Sequence, residues 1–241
     1  MAGNTFSITI EKDQQLWNLL KEVAEATPEG SWVLVGGAMV QLHALRAGLG
    51  QTRLTRDVDA LIDLSRNSIG SIAAPIQRLG FEPQIPSWAG GFHRFRRGED
   101  VIDIMASREI TWPVKWAGHE VLKTAGAAQA LARRDTYVLS DGVRSFTIQI
   151  PDSVGAIVAK SAAHQVDRVN RERHLRDLVT LLAATPGKDF ELAELSKKDK
   201  KYLRHLSAEI GDVLQPWWFG FSASEIARAE ETLVSVRGLL I

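Results

Sequence analysis

Apolar and polar residues alternate along this chain in blocks whose period changes, and each block predicts one element of secondary structure. Apolar residues three or four positions apart, from Leu16 to Val23, predict an amphipathic helix over residues 11–26. The apolar run Trp32–Val35 predicts a short buried strand, and the pair Gly36-Gly37 ends it. A helix over residues 38–47 is expected to start at this glycine turn.

The same patterns continue to the end of the chain and divide it into two parts. Further strands are predicted over residues 58–62, 92–97, 101–105 and 146–150, the second and third of them joined in a hairpin by a turn at 98–100. Further helices are predicted over residues 68–79, 120–134, 153–169, 173–184, 191–214 and 224–239. We therefore predict an α/β (α+β) fold class, with a mixed-sheet domain over residues 1–150 and a helical C-terminal domain over residues 151–241.

The composition is that of an ordinary globular protein and narrows the function little. Of 241 residues, 45% are hydrophobic and 24% are charged, and 29 basic side chains balance 29 acidic ones. The zero net charge gives no general attraction to nucleic acid, and the lack of cysteine excludes disulfides and cysteine-based zinc sites. The first residues show no signal-peptide pattern, and no apolar run approaches the ~20 residues that span a bilayer. We therefore expect a cytoplasmic protein that does not engage a membrane.

Three aspartates interrupt two of the apolar strands and carry the candidate chemistry. Asp57 and Asp59 alternate with apolar residues in one predicted strand, so their side chains share one face. Asp103 lies in the middle of the apolar run Val101–Met105. Like charges held side by side in a buried strand are costly, and a divalent cation would offset them. The three carboxylates therefore predict a site for Mg²⁺ or Mn²⁺ and metal-dependent phosphoryl chemistry.

These residues follow the order of a known motif. Gly36-Gly37, then Asp57-Val58-Asp59, then Asp103 in an apolar strand, resembles the nucleotidyltransferase superfamily with the polymerase-beta-like fold. Within that superfamily, Val35-Gly36-Gly37-Ala38 and Arg53–Asp59 are similar to the AbiEii-type group, which includes toxins of bacterial toxin–antitoxin systems.

The resemblance covers roughly residues 30–185 and continues into the helical part. Lys160–Ala163 is similar to a lysine-containing helix of the group, and Arg173–Leu178 to a later motif. That motif usually has lysine and aspartate where this chain has Arg173 and His174, and many superfamily members have serine at the position of Gly37.

The resemblance implies transfer of a nucleoside monophosphate from an NTP to a hydroxyl group, with release of pyrophosphate. It implies that Asp57 and Asp59 bridge the metal ions, that Asp103 completes one of them and helps to deprotonate the acceptor, and that Asp177 orients Lys160 or an acceptor group. The residues assigned to catalysis are Asp57, Asp59, Asp103, Lys160 and Asp177; those assigned to the nucleotide are Gly36, Gly37, Arg53, Thr55 and Lys160; and those assigned to the metal are Asp57, Asp59 and Asp103.

Several alternatives stay open at the level of sequence. The expected partners are an NTP, a tRNA or protein acceptor and a cognate antitoxin, but a small-molecule (antibiotic-type) nucleotidyltransferase and a catalytically silent nucleotide-binding module fit the same motif. The arginines at 94, 96 and 97 alternate with Phe95 in a way that is typical of a solvated strand face. Asp177 is equally consistent with a surface ion pair to Arg173 or Arg176.

Overall fold

The fold is of the α/β type: in the described residues, strands and helices are mixed along the chain as far as residue 151, and only helices follow. The computed structural model describes residues 3–11, 14–50, 55–85, 91–167, 169, 171–191 and 193–240. Its first elements are β1 (Thr5–Thr9), α1 (Gln15–Ala26), β2 (Trp32–Val35), α2 (Gly36–Arg46), β3 (Asp57–Ile62), α3 (Gly70–Arg78), β4 (Glu82–Pro83), β5 (Arg94–Arg97), β6 (Asp100–Ser107), β7 (Lys115–Trp116), β8 (His119–Glu120), β9 (Lys123–Thr124), α4 (Ala127–Ala132), β10 (Arg134–Ser140) and β11 (Ser145–Pro151). The later elements are α5 (Ser153–Val166), α6 (Arg171–Ala184), α7 (Lys188–Glu191), α8 (Lys197–Glu209), a 3-10 turn (Pro216–Trp218) and α9 (Ala223–Gly238).

The predicted α/β class is confirmed by mixed sheets that pack against helices. The main sheet has the strand order β2-β3-β6-β5-β4, with β9 beside the far end of β6. Its two central strands, β3 and β6, are parallel, whereas β2 and β5 flank them in antiparallel orientation. A second sheet has the order β1-β10-β11, and β7 and β8 form a short pair. The division into two domains at residue 150 stays a prediction.

Two of the predicted helices were wrong in extent. Residues 120–134 do not form one helix, because β9 pairs with β6 and only Ala127–Ala132 is helical before β10 begins. Strand β10, which was not predicted, lies between β1 and β11 and alternates buried and partly buried side chains. The helix expected over residues 191–214 is α8, and it begins at a capping box in which Ser196 and Asp199 bond reciprocally.

The C-terminal helices pack on α2, α4 and β11. Helix α5 starts where the Asp152 side chain accepts a hydrogen bond from the Gly155 amide at 2.8 Å, at the position where the sequence predicted a cap. Helix α6 packs against α2 and α5, and α5 also packs against α4 and α8. The larger of two hydrophobic clusters in the described residues runs through strands and helices alike, and the smaller consists of Val35, Leu61, Ala127 and Ala130. As a result, α5 and α6 face the residues that follow β2.

No helix among the described residues has both the length and the apolar character needed to cross a membrane.

Candidate active site

The main sheet brings the three predicted carboxylates onto one face. Strand register places Val35, Asp59, Asp103 and Arg94 side by side across four neighbouring strands. Asp57 precedes Asp59 by two residues and therefore points to the same face. Since adjacent strands lie about 4.8 Å apart, the aspartates form a compact acidic group.

The acidic group forms the floor of a cavity of about 230 Å³. One wall is apolar and is made of small side chains, among them Ala127, Ala130 and Ala159. The predicted site residues that line the cavity are Gly36, Gly37, Thr55, Asp57, Asp59, Asp103 and Lys160, and further lining side chains are Arg94, Arg173 and His174. Asp177 does not line the cavity but accepts a hydrogen bond from Lys160, which does. Arg53 lies outside the described residues.

Gly36 is required at its position for two independent reasons. Its φ of +71° lies in the left-handed region, which side chains disfavour. A Cβ atom at this position would also overlap the carboxylate of Asp59. Helix α2 begins at Gly36, and its N-cap residue Val35 makes no side-chain hydrogen bond to the first turn. The amides of that turn therefore present an anion-binding helix N-terminus beside the acidic group.

The charge of the acidic group is only partly neutralised by the protein. Burial raises the pKa of Asp59 to about 7, and the nearby negative charges of Asp103 and Asp57 act in the same direction. Lys160 and Arg173 oppose this shift without cancelling it. A cluster of carboxylate oxygens with surplus negative charge fits Mg²⁺ or Mn²⁺, which prefer oxygen ligands.

Asp103 is held by Arg94, whose side chain is 39% exposed on the strand face that was predicted to be solvated. Arg94 donates from Nε to Oδ1 of Asp103 at 2.8 Å and from a terminal nitrogen to Oδ2 at 2.7 Å. The hydrogen bond to Asp103 raises the pKa of Arg94. Within the described ranges, no three or more His, Cys, Asp or Glu side chains form a ready metal-binding group. In this arrangement Asp57 and Asp59 are the carboxylates left to face a cation.

The helical wall carries a second ion pair, which is buried. Lys160 donates to Asp177 Oδ2 at 2.7 Å, and the two side chains are 7% and 2% exposed. Asp177 is thus not part of a surface pair, and that alternative was wrong. A buried ion pair of this kind is tolerated because each charge compensates the other for its loss of hydration.

Two further residues of the helical wall had been given no role at the site by the sequence analysis. Arg173 is exposed at the cavity, and its positive charge acts on Asp59. His174 is buried, and its Nε2 lies 3.1 Å from Oδ2 of Asp167. Burial and the charge of Lys160 lower the pKa of His174, which favours the neutral ring at neutral pH. A pair of cations, Lys160 and Arg173, therefore faces the carboxylates across the cavity.

Comparisons of this chain with protein-family models, with curated proteins and with solved structures gave no significant match.

Proposed function

We propose that this protein is a metal-dependent nucleotidyltransferase that moves a nucleoside monophosphate from an NTP to a hydroxyl acceptor. One observation carries the proposal: Asp57, Asp59 and Asp103 meet on one sheet face directly beside the N-terminus of α2. Acidic oxygens suit a divalent cation, and a helix N-terminus suits phosphate, so the two features together fit a metal–triphosphate complex.

Asp57 and Asp59 would hold Mg²⁺ or Mn²⁺. The bound ion would supply positive charge to the phosphates and to the oxygens that gain charge during transfer. Burial is the first cause of the raised pKa of Asp59, and the charges of Asp103 and Asp57 add to it; these neighbouring carboxylates, which favour a proton on Asp59, would also attract a cation.

The triphosphate would bind along the first turn of α2. Gly36 has no side chain and permits close approach of the phosphates to the backbone. Thr55 also lines the cavity and could offer its hydroxyl to a phosphate. Lys160 and Arg173 on the opposite wall would neutralise phosphate charge in the ground state and during transfer.

The acceptor would approach the other end of the row, where Asp103 and Arg94 lie. Asp103 would complete the cation site and help to take the proton of the acceptor hydroxyl, and for this its ion pair with Arg94 would have to open. We propose a tRNA or protein acceptor and a toxin of a toxin–antitoxin system as the cellular role, since the sequence motif resembles the AbiEii-type group.

The test is label transfer from each α-³²P-labelled NTP in the presence of Mg²⁺, with total tRNA and a cell lysate as acceptors. We expect the wild-type protein and Asp212→Asn, a control at an exposed aspartate, to label the same acceptor, and Asp57→Asn to label none. Transfer to neither acceptor with NTP binding intact would point to a small-molecule acceptor. NTP binding without transfer to any acceptor would favour the catalytically silent nucleotide-binding module, and absence of NTP binding would contradict the nucleotidyltransferase.

A further inference from the structure

We propose that Arg94 is a positioning residue that withholds Asp103 from the cation site of the resting protein. The resting site then consists of Asp57 and Asp59, and a cation gains Asp103 as a ligand only when Arg94 leaves it. This inference rests on the proposed function, because it concerns the cation site of the same cavity.

The first support is that both oxygens of Asp103 are engaged. The guanidinium of Arg94 approaches the carboxylate as a fork, with donor–acceptor distances of 2.8 and 2.7 Å. Such bidentate pairs are among the strongest side-chain hydrogen bonds. Asp103 is itself buried, so few other partners can reach these oxygens from solvent.

The second support is that the fold fixes the two backbones of this pair. Arg94 and Asp103 are register partners across the β5–β6 ladder. The next residue, Phe95, is fully buried and packs edge-on against Phe92 at a ring distance of 5.2 Å. With β5 anchored in this way, Arg94 returns to Asp103 whenever its side chain is not otherwise engaged.

The third support is that this ion pair is built to open, unlike the other ion pair of the cavity. The Arg94 side chain is 39% exposed, so its guanidinium can move into solvent, and the incoming cation would then compensate the buried Asp103 carboxylate that it leaves. Lys160 and Asp177 are almost completely buried, and separating them would leave two buried charges unpaired. Arg94 is therefore the cation that a divalent metal ion can displace.

The inference is tested by Mn²⁺ binding to the full chain without nucleotide or acceptor, followed through the electron paramagnetic resonance signal of free Mn²⁺. We expect Arg94→Gln to bind Mn²⁺ roughly ten-fold more tightly than the wild type. The reason is that Mn²⁺ no longer has to displace the charged hydrogen bonds of the guanidinium from Asp103, and the loss of such bonds corresponds to a change in affinity of about this size. Arg94→Lys keeps the charge but lacks the fork, and we expect intermediate affinity.

A double-variant cycle separates this effect from a simple loss of positive charge. In the Asp103→Asn background, Arg94→Gln should no longer increase the affinity by that factor. Arg96→Gln removes an exposed charge two residues further along the same strand face and should give a smaller gain. Equal gains with and without Asp103, or equal gains for Arg94→Gln and Arg96→Gln, would overturn the inference.

The same data distinguish failure of this inference from failure of the proposed function. Tight Mn²⁺ binding that Arg94→Gln leaves unchanged or weakens would overturn the role of Arg94 alone. Absence of Mn²⁺ binding in every variant would overturn both the role of Arg94 and the metal-dependent transferase.

Discussion

At the scale of single residues, Asp59 shows how a buried group of carboxylates costs stability. Its pKa is raised to about 7, chiefly by burial and then by Asp103 and Asp57. The folded chain therefore holds the Asp59 proton more tightly than the unfolded chain does. This residue's contribution to the free energy of unfolding falls as the pH rises from the ordinary aspartate range towards 7. Above that pH, the cation-free protein carries a destabilising charge.

Asp59→Asn is accordingly expected to stabilise the cation-free protein while it abolishes transfer. The amide is neutral and similar in shape, so we expect the free energy of unfolding at about pH 8 to rise by roughly 1–2 kcal/mol. Urea denaturation with a metal chelator present measures this change. Added Mg²⁺ should stabilise the wild type and leave the variant unaffected. A variant less stable than the wild type under chelation would contradict this account of Asp59.

The sequence predicted the aspartates but not their arginine partner, and the reason is a shift of one residue. Strand alternation sufficed to put Asp57 and Asp59 on one face. The hairpin turn was predicted at residues 98–100, but Asp100 already belongs to β6 and pairs with Arg97. Counting back from that pair brings Arg94 opposite Asp103. A turn that is one residue too long changes every cross-strand partner.

At the scale of elements, helix α2 lies between two glycines with left-handed backbone, only one of which faces the site. Gly36 starts the helix with φ +71°, and Gly48 follows its end with φ +66°. A Cβ at Gly48 would meet open space, whereas one at Gly36 would overlap the Asp59 carboxylate. A side chain at either position would therefore strain the backbone, but only a side chain at position 36 would also overlap Asp59.

This contrast makes Gly48→Ala a matched control for Gly36→Ala. We expect Gly48→Ala to lose about 1–2 kcal/mol of unfolding free energy through backbone strain and to keep full transfer activity. Gly36→Ala should lose more stability and nearly all activity, because Asp59 must move away from the helix N-terminus. Urea denaturation and the labelled-NTP assay measure the two effects. Equal activity of the two variants would show that the position of Asp59 does not matter.

The element that the sequence analysis placed worst, residues 120–134, owes its shape to tertiary contacts. Lys123 and Thr124 are register partners of β6 residues, which local propensity cannot indicate. Gly126 then takes φ +76°, and a Cβ there would lie 2.9 Å from the Cβ of Ala162 on α5. Glycine at this point stops a longer helix and lets α5 approach closely. The site wall formed by α4 and α5 could not be foreseen from periodicity alone.

At the scale of the whole molecule, neutral composition hides an uneven distribution of charge. The chain has as many acidic as basic residues, yet the cavity gathers three carboxylates on the sheet and two cations on the helices. The α/β class follows from the order of strand and helix patterns and was predicted. Lys160 and Arg173 face the acidic group because of the way in which α5 and α6 pack, and this packing cannot be read from the sequence of either helix alone.

The interface between α5 and α8 contains a second group that lowers the stability of the folded protein, and the size of this effect depends on pH. His164 on α5 is buried, and neither ring nitrogen has a hydrogen-bond partner among the described residues. Its ring lies 5.3 Å from that of His205 on α8. Burial, Arg171 and His205 lower the pKa of His164 to about 4, and Glu209 opposes the shift. The ring is therefore neutral in the folded protein at pH 7.

Because this folded-state pKa is lower than that of the unfolded chain, the stabilising contribution of His164 is complete above the ordinary histidine pKa of 6.5 and is lost as the pH falls towards about 4. We expect His164→Leu to gain roughly 1–2 kcal/mol relative to the wild type between about pH 7.5 and about pH 5, since leucine takes up no proton. Urea denaturation at the two pH values measures the gain. His119→Leu, at an exposed histidine, is the control for replacing a histidine by leucine elsewhere in the chain. The other titrating groups are common to the compared proteins, so a constant difference between His164→Leu and the wild type would mean that the α5–α8 interface accepts the charged ring.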